Sequence, residues 1–122
     1  GIKGFSLVMY YSNLCNHCKQ VIPEFQSLPK ILGGCHFGMM NVSTNKGIIP
    51  KSVGTNTSIN YVPYIVLYIN GKPFMRYEGP KTKEMMRKFV IDVSKSLDVQ
   101  QIQIKRYMMW FLMAQHHLPM TT

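Results

Sequence analysis

Apolar positions along the chain fall into short blocks that alternate between two periodicities. Residues Phe5 to Tyr11 (FSLVMYY) form a nearly continuous apolar run with β-branched and aromatic members, the pattern of a strand buried on both faces. Ser12, Asn13, Leu14 and Cys15 follow and offer polar groups to cap a helix. From Cys18 onward Val21, Ile22, Phe25 and Leu28 recur at three- and four-residue spacing, so one helical face points at a core despite Pro23, and Pro29 ends or distorts that helix. His36 to Val42 is a second strand, and the polar stretch Ser43 to Asn60 has room for one short helix near Ile48 to Val53. The clearest strand is Tyr64 to Ile69, closed by Asn70-Gly71. That dipeptide between apolar runs predicts a tight hairpin to a strand at Phe74 to Tyr77. Beyond Gly79-Pro80, the positions Met86, Phe89, Val90, Val93 and Leu97 mark an amphipathic helix with Thr82 as its cap. Val99 to Leu118 reads as an added helix, giving a domain over 1–98 and a helical extension over 99–122.

Composition narrows the class. A chain of 122 residues with 46% apolar content suits one folded domain and not a disordered basic tail. Three cysteines are too few for a disulfide-dense secreted scaffold. The longest apolar run, Met108 to Ala114, is far below the roughly 20 residues of a spanning helix, and no charged segment precedes the first strand, so neither a signal peptide nor a transmembrane anchor is expected. The chain starts with Gly, so a processed N-terminus leaves the compartment open.

Candidate chemistry sits at Cys15-Asn16-His17-Cys18, where the first strand meets the first helix. A thiol at a helix N-terminus faces unpaired N–H groups and the positive end of the dipole, both of which favour thiolate. The second cysteine, one turn on and directed toward the protein, is close enough to attack a mixed disulfide on the first. Cys15 is therefore the expected nucleophile and Cys18 the resolving thiol, together forming the exchangeable disulfide. Two other readings use the same sulfurs. One is structural zinc on Cys15, Cys18, Cys35 and His36, although adjacent Cys35-His36 does not reproduce the usual spacing of a second ligand pair, and no metal is expected. The other is a pair of buried, unreactive thiols. Cys35 reads as a small apolar residue at a strand start.

Two segments carry a resemblance. Cys15 to Pro23 (CNHCKQVIP) is similar to the active-site helix of the thioredoxin superfamily, including the proline five residues after the second cysteine, and Tyr61 to Tyr68 (YVPYIVLY) resembles that family's second signature. With the order β-α-β, short helix, β-β-α, the likeness covers roughly residues 4 to 97. It implies an α/β, thioredoxin-like fold: a mixed four-stranded central sheet flanked by helices, here with an extra C-terminal helix. It also implies that Pro63 is cis and lies against the active-site sulfurs, that Val62 offers its backbone to an extended substrate, and that no cofactor is needed. Three departures stand out. Only 14 residues precede Cys15, the minimal core that glutaredoxins also use. Leu14 replaces the family's common tryptophan at the substrate-facing rim. Met9 replaces a buried acid that aids proton transfer, so turnover is expected to be slow. His17 resembles the dipeptide pattern of protein disulfide isomerases and bacterial disulfide oxidants, in which the imidazole stabilises a thiolate at the first cysteine; its plainer reading is a solvated loop histidine.

The resemblance implies a thiol–disulfide oxidoreductase acting on protein disulfides or dithiols. An alternative is a redox-weak interaction or assembly module. The formal charge of +9 concentrates in Lys72, Arg76, Lys81, Lys83, Arg87 and Lys88 against Glu78 and Glu84. This basic face is a solvated surface or a docking site for an acidic protein; nucleic acid is not expected, because no aromatic stacking pattern accompanies it. Tyr107 to Met113 (YMMWFLM) is apolar on every side and must be covered, by its own domain, another chain or a membrane surface. His116-His117 is too little for a metal site. Ten methionines with abundant Lys, Asn and Ile fit an AT-rich genome such as a large DNA virus, favouring a cytoplasmic or virion-associated protein.

Overall fold

The computed structural model describes residues 1–55 and 57–115. Its elements run β1 Phe5–Tyr11, α1 Asn16–Gln26, α2 Leu28–Ile31, β2 His36–Asn41, α3 Ile48–Ser52, β3 Tyr64–Ile69, β4 Lys72–Tyr77 and α4 Lys83–Gln115. The strands form one mixed sheet in the order β2-β1-β3-β4. β1 pairs parallel with β2, and β3 runs antiparallel to both β1 and β4. The chain falls into two compact units, Ile2–Ile91, and Gly1 with the segment from Asp92 onward.

Local chemistry accounts for the turns. Asn70 and Gly71 both take positive φ, 51° and 80°, the left-handed pair that a two-residue hairpin requires to match strand twist. Ile69 then faces Lys72, and a register shift between Leu67 and Tyr68 absorbs Pro73 on the edge strand. β4 therefore begins at Lys72, two residues ahead of the expected Phe74. At the other side of the fold, α1 carries Pro23 inside it and ends at Gln26. Pro29 then falls in the first turn of α2, where its missing N–H costs nothing.

The sealed interior of the Ile2–Ile91 unit is made by Phe5, Leu7 and Met9 of β1, Ile65 and Leu67 of β3, Cys18, Val21 and Phe25 of α1, Leu28, and Met86 and Val90 of α4. The first turns of α4 are tied to neighbouring elements. The Lys83 N–H donates to Glu24 Oε2 at 3.0 Å and Arg87 Nε to the Ile31 carbonyl at 2.9 Å, while the Tyr77 and Phe89 rings lie 4.9 Å apart. A second cluster joins Tyr10, Val42, Ile59, Tyr64 and Val66.

β1 is covered on both faces: Phe5, Leu7 and Met9 on one side and Tyr10 on the other are buried, while Ser6, Val8 and Tyr11 are half-buried. One expectation is corrected. The two C-terminal helices are one, α4 running unbroken through Leu97 and Val99, because no Gly or Pro interrupts residues 83–115. Along that helix the residues Tyr107 to Met113 are 36–65% exposed. His116 and His117 lie outside the described residues.

Candidate active site

The site is built where β1 ends. After Tyr11 the chain turns, with the Cys15 N–H donating to the Ser12 carbonyl at 3.2 Å and the Leu14 N–H to Ser12 Oγ at 3.2 Å. Ser12 Oγ also pairs with Ser43 Oγ at 2.6 Å. That bond ties together the segments that leave the two parallel strands β1 and β2. Asn41 Oδ1 holds the second of these by accepting the Ser43 N–H at 2.9 Å.

Cys15 has extended backbone, φ −100° and ψ 110°, and is itself the N-cap of α1. Its Sγ accepts the Cys18 N–H at 3.1 Å, doing with sulfur what a Ser or Asp oxygen does at an ordinary cap. The sulfur thus lies on the free N–H groups of the helix, at its positive end. The Cys15 thiol also donates to the Val62 carbonyl at 3.7 Å. The Val62–Pro63 peptide is cis, and Pro63 is buried while Val62 is half-buried.

Cys18 differs sharply from its neighbour. It is 0% exposed, and its pKa is pushed up to about 11, first by burial and then by the hydrogen bond and charge of Cys15, partly offset by the backbone of Ser12. Cys15 is partly accessible. The accessible sulfur stands first, so the arrangement separates a thiol that can meet a large molecule from one that can meet only Cys15.

Around this pair the rim is apolar. Leu14 is 91% exposed and Tyr61 46% exposed, the latter held edge-on against the Tyr64 ring at 5.3 Å. His17 is exposed on the first turn of α1. The structure thus gathers Leu14, Cys15, Cys18, Val62 and Pro63 and leaves His17 facing solvent on the same turn. The place of Tyr61 at the rim and the Ser12–Ser43 bond go beyond what the sequence segments announce. An aromatic residue two places before Pro63 is a readable signal for the first, but nothing local announces a contact between residues 31 apart. Cys35 and His36 lie elsewhere: His36 pairs with Ser6 near the start of β1, whereas Cys15 follows its end, a separation of roughly 15 Å or more along the strands. The four ligands of the zinc reading are therefore apart. The Cys35 thiol donates to the His36 carbonyl at 3.4 Å.

The family model for thioredoxin matches residues 2–92. The chain belongs to the thioredoxin family. Its thioredoxin domain is 40% identical over 90 residues to uncharacterized protein 196R of Invertebrate iridescent virus 6, covering 74% of this chain and 52% of that one. It is 26% identical over 94 residues to the protein disulfide-isomerase like 2-2 of Arabidopsis thaliana, covering 77% of this chain and 20% of that protein. The chain therefore spans about half, or less, of the length of these relatives. Among solved structures, Fasciola hepatica thioredoxin superposes with a TM-score of 0.60 at 21% identity, covering 74% of this chain and 82% of that one. The mixed sheet with flanking helices and a C-terminal helix is thus a thioredoxin-like fold, and the iridescent-virus relative supports a large-DNA-virus version of it.

Proposed function

We propose that this protein exchanges disulfides with polypeptide substrates. The observation that carries the reading is the position of Cys15 Sγ: partly exposed, on the N-terminus of α1, 3.1 Å from the Cys18 N–H and facing the Val62 carbonyl beside cis Pro63. In the reducing direction the Cys15 thiolate attacks one sulfur of a substrate disulfide. A Cys15–substrate disulfide forms, and the other substrate sulfur leaves as a thiolate. Cys18, once deprotonated, attacks Cys15 Sγ. The substrate's remaining sulfur leaves as thiolate, and the protein is left with a Cys15–Cys18 disulfide. The opposite direction reverses each step, and no cofactor takes part.

The roles follow from position. The Val62 backbone aligns an extended substrate segment beside Pro63, and Leu14 gives that segment an apolar contact. His17, one residue before Cys18, presents an exposed imidazole on the first turn of α1, on the substrate side of the pair. The similarity to a protein disulfide-isomerase supports the reading. The test is a Cys18→Ser variant mixed with a disulfide-bonded protein such as insulin: a covalent adduct on Cys15 is expected, sensitive to dithiothreitol and lost in the Cys15→Ser, Cys18→Ser double variant. No adduct, together with no insulin reduction by the unaltered chain, refutes it.

The exposure of Tyr107 to Met113 favours a second role for the same molecule. In this reading residues 1–98 carry the chemistry, and the extension 99–122 docks the domain in a larger, virion-associated complex, aided by the basic face from Lys72 to Lys88. Part of that face is already engaged, since Arg76 pairs with Glu78 at 2.7 Å and Arg87 holds the Ile31 carbonyl. Truncation after Leu97 separates the roles: retained insulin reduction with lost assembly supports docking by the tail, and loss of folding makes the tail part of the core.

A further inference from the structure

We propose that the site releases its substrates slowly: a polypeptide captured on Cys15 stays covalently attached until a diffusible monothiol removes it, because Cys18 is sealed in the interior and no base among the described residues is placed to take its proton. This rests on the disulfide-exchange reading above and concerns its second step. Only a thiolate attacks a disulfide, so resolution waits for Cys18 to lose a proton.

The interior around α1 and the sheet supplies no acceptor. Its inward residues are Phe5, Leu7 and Met9 from β1, Ile65 and Leu67 from β3, Val21 and Phe25 from α1, Pro63, and Met86 and Val90 from the start of α4. None of these titrates. The chain has five carboxylates. Glu24 is six residues beyond Cys18 on α1, about 9 Å along the helix axis, and accepts the Lys83 N–H. Glu78 pairs with Arg76 and Asp98 with the N-terminal amine. Glu84 and Asp92 are exposed. Among the described histidines, His17 and His36 are both exposed. Among the described residues the one ionisable group that acts on Cys18 is Cys15, and in the captured state its sulfur is bonded to the substrate and cannot serve as base.

Burial is the largest cause of the upward shift of Cys18, and burial persists when Cys15 carries a substrate, whereas the part due to Cys15 does not. The Cys18 thiolate is therefore rarer at pH 7 than that of an ordinary thiol, and the faster attack of a more basic thiolate, with a Brønsted coefficient of about 0.4–0.5, makes up only part of the loss. Resolution is then slower than with an ordinary thiol in the same place. Capture by the accessible Cys15 does not wait on this deprotonation.

The experiment uses the full reduced chain and a cysteine peptide carried as its mixed disulfide with thionitrobenzoate. Attack on the peptide sulfur liberates the coloured thionitrobenzoate and reports capture; acid quenching and mass spectrometry then follow the loss of the Cys15–peptide adduct. The expected result is capture faster than release at pH 7, release rising close to tenfold per pH unit from 7 to 9, and adduct lifetime shortened by millimolar glutathione. Release as fast as capture, or release that is flat between pH 6 and 9, overturns the proposal by showing that Cys18 has a base. Failure to capture at all overturns the disulfide-exchange reading itself, and with it this one.

Discussion

Leu14 stands 91% exposed directly before Cys15, so its side chain does little for folding, and a substitution there isolates its proposed contact with substrates. Leu14→Ala removes three carbons. At about 0.8 kcal/mol per buried CH₂, a substrate that covers half to most of the side chain loses about 1–2 kcal/mol of binding, or roughly 5- to 30-fold in kcat/KM. Stability should change by no more than about 0.5 kcal/mol, as for surface changes away from special features. The assay compares insulin reduction with capture of a small aromatic disulfide that reaches Cys15 without covering Leu14. Insulin kcat/KM is expected to fall by the stated factor, while the small disulfide reacts within about twofold of the unaltered chain and the Tm holds. Equal loss on both substrates means that Leu14 acts through Cys15 reactivity. No loss on insulin means that polypeptides do not use this rim, and either result refutes the reasoning.

Two further outcomes follow from burial. Leu67 is fully buried and sits between Leu7 of β1 and Met75 of β4, so Leu67→Ala should cost about 2–5 kcal/mol in urea unfolding, whereas Leu112→Ala, on an exposed position, should cost under about 0.5 kcal/mol; similar losses for both contradict the assigned core. Cys18, Tyr10, Tyr64 and Tyr77 all have pKa values raised by burial. Their neutral forms are favoured in the folded chain, so the stability they contribute is complete below the ordinary values of 9.0 for the thiol and 10.0 for the phenols and drains as pH rises through the folded ones. Under reducing conditions the melting temperature should be level near pH 8 and fall from about pH 9 upward; a melting temperature unchanged at pH 11 refutes this.

What the amino-acid order makes legible here is what short stretches decide. Tyr64–Ile69 and Asn70-Gly71 specify a strand and its reversal because the turn's positive φ values are a demand on two residues alone. Cys15 and Cys18 are legible for a similar reason, being one helical turn apart at a strand-to-helix join. What escaped depends on distant partners or on the absence of a breaker. Half-burial of Val8 is decided by what lies over that face of the sheet, and the bond from Ser12 to Ser43 crosses 31 positions. The change from amphipathic to all-round apolar pattern near Leu97 looks like the end of one helix and the start of another. Without Gly or Pro the backbone continues through it. Even the cap was placed only approximately: Ser12 and Asn13 look like better caps than a cysteine, but Ser12 spends its oxygen on Leu14 and Ser43.

If Cys15 and Cys18 exchange disulfides as proposed, that substitution at the cap links the redox state of the chain to its resistance to unfolding. Cys15 Sγ holds the first turn of α1 through the Cys18 N–H, and it does so most strongly as a thiolate and least as a disulfide sulfur. Folding and reduction therefore form a closed thermodynamic cycle. Whatever the helix gains by having a charged sulfur at its head, the dithiol state gains over the disulfide state, and about 30 mV of potential corresponds to about 1.4 kcal/mol of folding free energy. Denaturation curves of the oxidised and reduced chain, subtracted, thus read the potential of the Cys15/Cys18 couple relative to the same couple unfolded. On that chemistry the protein carries its own redox reference in the stability of one helix.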